Sequence, residues 1–215
     1  LIVQNWRFRM IVPGRGEYRD VPINRAAKAF ADAWDPAAEE AAGKQCEAYG
    51  AAALMRQPTR LRIGWQDQDT LQVDTDNGMQ TRTLHFKDPA EGTQIQPSWQ
   101  GYSRARWQRW MPPPAFFSGP FDETDNTHPY GGLRVDTDHL LAGLLRKNGV
   151  PYSERASMRE YWQVHRDEPD GDSWMTIATT VQDPVYLTSP YTYNVVFKRE
   201  SDGSKWDPTP CSLRN

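Results

Sequence analysis

The sequence predicts a mainly β fold: an antiparallel, lipocalin-like β-barrel or strongly curved sheet with a short N-terminal helical segment. Three observations carry that prediction. From residue 52 onward, apolar and polar side chains alternate with a period of two in nine short stretches. Turn-forming clusters separate most of them at hairpin lengths, namely Asp67-Gln68-Asp69, Asp76-Asn77-Gly78 and Asp170-Gly171-Asp172. The stretches also lack the intervening helices that parallel crossovers require. A β-sandwich is the alternative. The 215 residues read as one β-rich domain, 1–215, with a helical segment at 24–43, the barrel at 52–198 and a Pro-rich loop insertion at 111–132.

The elements follow in order. Leu1–Tyr18 is extended chain that runs into a turn at Pro13-Gly14-Arg15-Gly16. Asn24 caps a helix over Arg25–Trp34, in which Ala27, Phe30, Ala31 and Trp34 share one face. Asp35 caps and Pro36 opens a further helical turn over Ala37–Ala42, with Glu39 and Glu40 near its positive end, and Gly43 stops it. The strands are then Ala52–Arg56, Arg60–Gln66, Thr70–Asp74, Gly78–Phe86, Ser98–Trp110, Leu133–Leu140, Ala156–Arg166, Ser173–Gln182 and Tyr191–Lys198. Met111–Gly132 interrupts the rhythm with Pro112-Pro113-Pro114, Phe116-Phe117 and an acidic run, and reads as a long loop that docks on the surface or over a pocket.

Composition narrows the function classes. The net charge is −3, with 25 Lys and Arg against 28 Asp and Glu, and no basic block stands out, which argues against nucleic-acid binding. The longest apolar run, around Ala51–Met55, is too short for a membrane span, which takes ~20 residues. A chain that begins at Leu1 points to an upstream segment that is removed or lies outside this sequence. Nine Trp, nine Tyr and seven Phe furnish a core that is otherwise lean in aliphatics. The two cysteines, Cys46 and Cys211, read either as buried thiols or, preferably, as a disulfide tying the helical segment to the C-terminal tail. A disulfide points to the periplasm or to secretion.

Alternation sorts each strand into a wet and a dry face. Met175, Ile177 and Val181 form one dry set; Tyr191, Tyr193, Val195 and Phe197 form another. Three dry faces carry polar intruders. Arg82 lines up with Leu84 and Phe86. Glu160 lies between Met158 and Trp162, with Val164 beyond, and His139 follows Leu133, Val135 and Thr137. A buried lone charge is costly, so the cheapest arrangement pairs Arg82 with Glu160. The same residues also suit chemistry: Glu160 as acid or base with its pKa raised by burial, His139 as a second proton carrier, and Arg82 as a fork for an oxyanion.

In Ser98–Trp110 the dry face reads Trp99, Gly101, Ser103, Ala105 and Trp107. Small residues between tryptophans leave room either for a flat ligand or for a neighbouring strand's side chains. His85 and His165 fall on wet faces and His128 in the long loop, and no spacing supports a metal site or calls for a cofactor.

Several stretches are similar to a large group of uncharacterised exported bacterial proteins. They are Trp34-Asp35-Pro36, Gln80-Thr81-Arg82, Trp99-Gln100-Gly101-Tyr102-Ser103 with Trp107, Leu133-Arg134-Val135-Asp136-Thr137 and Asn148-Gly149-Val150-Pro151-Tyr152-Ser153. Glu160, Gln182-Asp183-Pro184-Val185-Tyr186-Leu187-Thr188 and Trp206-Asp207-Pro208 with Cys211 complete the set. The resemblance implies export and a shared fold. It supplies no activity, although Tyr152 stands where that group carries His, which keeps Tyr152 as a candidate proton or hydrogen-bond donor.

Three functional expectations follow. The first is a barrel binding a small apolar or aromatic molecule, with Trp99, Ser103, Trp107, Trp162 and Tyr193 as its lining and Arg82 reading an acidic group. The second is a cofactor-independent lyase or isomerase acting by proton transfer, using Glu160, His139, Arg82 and Tyr152. The third is a pocketless domain that shields or assembles a surface.

Overall fold

In the computed structural model the described residues are 2–5, 14–109, 131–166 and 171–213. The expected loop at 111–132, with His128, lies outside them except for its last two residues. The strands are β1 (Ile2–Asn5), β2 (Arg60–Trp65), β3 (Thr70–Thr75), β4 (Thr81–His85), β5 (Tyr102–Arg109) and β6 (Gly131–Asp138). They continue with the two-residue β7 (Gly143–Leu144) and β8 (Pro151–Tyr152), then β9 (Ser157–Arg166), β10 (Ser173–Gln182) and β11 (Tyr191–Arg199). Helices α1 (Arg25–Ala33) and α2 (Pro36–Ala41), a 3-10 helix over Gln45–Tyr49 and α3 (Ala51–Leu54) precede the sheet.

The molecule is mainly β. Its main sheet runs β2-β3-β4-β5-β6-β9-β10-β11 and curls so far that β1, paired with both β11 and β2, closes it into a barrel. Among the described strands every pairing is antiparallel except β4 with β5, which is parallel. The chain therefore leaves β4 at one end of the barrel and returns over residues 87–101 to enter β5 from the other. The expected antiparallel order fails at the β4–β5 step.

The side-chain alternation fixes the register. Leu71 and Val73, Arg82 and Leu84, Ser103 and Ala105, Leu133 and Val135, and Glu160 and Trp162 are all buried on the inner face. On β10 and β11 the inner residues Met175, Ile177, Val181, Tyr191, Val195 and Phe197 are buried as the alternation requires.

The two ends of the barrel differ. At the base, Ala31, Ala51 and Ala52 of the helical segment pack with Leu140, Tyr152, Met158, Val181 and Tyr191. Asn24 and Asp35 cap α1 and α2 as expected, accepting from the backbone N–H of Ala27 and Ala37 at 3.0 Å each. The stretch expected to be a strand from Ala52 is instead α3, whose four residues are completely buried as a plug. Local alternation cannot distinguish a short buried strand from a short buried helix when every residue is apolar.

Cys46 and Cys211 form a disulfide that joins this base to the C-terminal tail across 165 residues. The tail is further held by Thr209, whose N–H donates to Asp76 O at 2.9 Å and whose O accepts from Gly78 at 2.8 Å.

The opposite end, the mouth, collects the β2–β3 turn and the far ends of β5 and β9. Here the inner-face residues Trp65, Trp107 and Val164 are exposed. Trp107 and Val164 were expected on dry faces; both are instead 64% exposed.

Candidate functional site

Two places carry chemistry inside the barrel. The first is a sealed polar cluster at mid-height. Strand β4 turns Arg82 inward and β9 turns Glu160 inward, and both side chains are 0% exposed. The contact is bidentate: Arg82 Nη2 to Glu160 Oε2 at 2.8 Å and Nη1 to Oε1 at 3.2 Å. Nη2 also donates to Ser103 Oγ at 3.3 Å and to Thr137 Oγ1 at 3.4 Å, and those two hydroxyls lie 2.8 Å apart. Arg82 Nε is left without an acceptor among the described residues. The expected pairing of Arg82 with Glu160 is what the side chains form, and Ser103 serves it rather than lining an open space.

The remaining proposed proton carriers do not join this cluster. His139 is exposed, not on the dry face, and its backbone is left-handed with φ of 54°. That conformation ends the alternation of β6 and turns the ring outward, where Nδ1 lies 2.6 Å from Asp138 Oδ1. Tyr152 is buried at the base, with its hydroxyl wedged where side chains at Gly50 and Gly143 would sit. Burial, reinforced by the charge of Glu47, pushes its pKa up, so it keeps its proton at neutral pH. Tyr193 donates to Ala52 O at 3.0 Å and is likewise held protonated by burial.

At Gly101, just before β5, the space is filled. A Cβ on Gly101, whose φ is +62°, would lie 2.8 Å from Leu140 Cδ2 and 2.9 Å from Thr137 Cγ2. Trp99 sits at the base, where its carbonyl accepts from Ala51 N–H at 2.9 Å, and Trp107 stands at the far end of the strand. The tryptophans expected to frame one cavity are therefore separated by the length of β5.

The second place is the mouth. Trp65, Phe86 and Trp107 form a row, with ring centroids 5.1 Å apart for Trp65–Phe86 and 5.5 Å for Phe86–Trp107. Trp65 is 53% and Trp107 64% exposed. Behind them, Leu133 stands between Trp107 and Trp162 in register, and Trp162 is buried with its Nε1–H lacking an acceptor among the described residues. Trp65 and Phe86 were not among the expected ligand contacts, although Phe86 was placed on the dry face of its strand; aromatic residues at the ends of dry faces were the available signal.

A second polar group ties base to barrel. Arg146 pairs with Asp20 and donates to Tyr191 Oη at 2.9 Å, while Arg56 donates to the same hydroxyl. Hydrogen bonding from Arg146 holds the Asp20 carboxyl below the usual aspartate range.

Among the described residues no cluster of His, Cys, Asp and Glu is arranged to hold a metal ion, and no helix is long and apolar enough to cross a membrane. No protein-family model matches the chain, and neither a curated protein nor a solved structure is detectably similar to it.

Proposed function

We propose that the protein is an exported barrel that binds a small apolar or aromatic molecule at its mouth. The observation that carries this reading is the aromatic row Trp65–Phe86–Trp107, whose two tryptophans are exposed, at the end of the barrel away from the plugged base. An aromatic side chain buries ~150–250 Å², and apolar burial stabilises by about 25 cal/mol per Å², so covering the exposed half of each indole is worth roughly 2–3 kcal/mol. The disulfide supports export, because such bonds persist in oxidising compartments.

Two parts of the wider expectation lose support. Arg82 is engaged bidentately by Glu160, so it offers no fork to an acidic group on a ligand. For a proton-transfer enzyme, Glu160 is sealed at 0% exposure and His139 faces outward with Asp138, so no observation favours that reading.

Titration with 1-aminonaphthalene, followed by tryptophan emission, tests the proposal. Saturable quenching is expected, weakened about tenfold or more by Trp107→Ala. An unsaturable response of equal size in the parent and in Trp107→Ala would remove the mouth as a site.

A further inference from the structure

The outer face of the sheet carries a second constellation, independent of the mouth. In register across β5, β6 and β9, two successive rungs read Arg104–Asp136–Arg159 and Arg106–Arg134–Tyr161. Arg134 approaches Asp136 with Nε 2.8 Å from Oδ2 and Nη2 3.1 Å from Oδ1. Only the second is a hydrogen bond; the Nε–H is left without an acceptor among the described residues. Arg159 donates through Nε to Oδ1 at 2.6 Å, and Arg106 Nη2 lies 3.6 Å from Oδ2. Arg104 turns away to Asp138 at 2.8 Å and Asp88 at 3.9 Å.

Among the described residues three guanidinium groups thus share the single charge of Asp136, and an excess of two positive charges remains. Arg106 also stands directly opposite Arg134 across the strand pair. Like charges in that position destabilise a sheet. Packing does not demand the arrangement, since the side chains of Arg106 and Arg159 are 59% and 49% exposed.

Asp136 acts as a strut. It draws three planar forks to one point, and its two oxygens accept far fewer hydrogen bonds than fifteen or so guanidinium N–H groups offer, five to each Arg. The excess charge matches a dianion, and guanidinium forks fit the oxygens of phosphate and sulfate. Tyr161, 39% exposed beside Arg134, adds a hydroxyl at the rim.

We propose that this outer face is a binding site for a phosphate- or sulfate-bearing dianion, with Arg106, Arg134 and Arg159 as donors and Asp136 holding them in place. The whole chain carries −3, so attraction is local and weakens with salt.

The test is a titration of the intact protein with inorganic phosphate, and separately with sulfate, at low ionic strength. It is followed by backbone amide shifts and repeated on Arg106→Ala/Arg159→Ala. Saturable shifts confined to β5, β6 and β9 are expected, with affinity at least tenfold lower in the double variant. Because both replaced side chains are half-exposed, the variant's amide spectrum should otherwise match the parent.

A second arm uses phosphatidylcholine vesicles with and without phosphatidic acid. Sedimentation with the acidic vesicles, competed by inorganic phosphate, would assign the group to a lipid headgroup; phosphate binding without sedimentation would assign it to a soluble ester. Shifts that never saturate, or that are the same in the double variant, are those of a general counterion and overturn the proposal.

Discussion

At the scale of single residues, the Arg82–Glu160 pair decides how the interior must be understood. A buried ion pair is weak evidence for net stabilisation, because desolvating both ions offsets most of their attraction. Losing one partner is another matter. Glu160→Gln leaves the buried Arg82 guanidinium without its counter-charge and should destabilise the fold by about 3–5 kcal/mol, measured by urea unfolding. Arg82→Met combined with Glu160→Leu should recover much of that loss. An unchanged Glu160→Gln midpoint would mean that the pair does not hold the barrel.

This pair was legible in the sequence, since two charges on dry faces require each other. His139 was equally well placed by alternation, yet the sign of one backbone dihedral put it outside, and nothing in neighbouring residue types announces a left-handed histidine.

At the scale of elements, alternation works wherever a strand has one wet and one dry face. It located β10 to the residue and β11 to within one. It fails where the pattern carries no contrast. The run Ala51–Leu54 is apolar at every position, so period cannot be read, and it folds as a buried helix. It also fails where pairing is non-local. The parallel neighbours β4 and β5 are separated by a crossing segment whose path no turn motif encodes.

That crossing makes the entry to β5 sensitive. Gly101 combines a φ of +62° with close neighbours from Thr137 and Leu140, so Gly101→Ala should cost about 1–3 kcal/mol. Thermal or urea unfolding checks it, and a neutral result would mean that the turn into β5 relaxes freely. The mouth was half legible for a related reason: Trp107 was chosen as a ligand contact, but whether the last inward residue of a strand is covered depends on where its neighbours stop.

At the scale of the whole molecule, the barrel has one end plugged by helices and stapled by Cys46–Cys211. Closing a loop of 165 residues should stabilise by about 5 kcal/mol on the chain-entropy account. Cys211→Ser should therefore lower the urea midpoint markedly, and adding a reductant should shift the parent protein but not the variant. Equal midpoints with and without reductant in the parent would show that the staple adds nothing to the barrel.

The staple has a mechanical consequence as well. A pull applied through residues 14 and 213 reaches Cys46 and Cys211 and passes directly between them along covalent bonds, bypassing every strand. The barrel hangs as an unloaded ring, and some 165 residues of chain, roughly 550 Å at full extension, stay out of reach of the force until the sulfur–sulfur bond is cut.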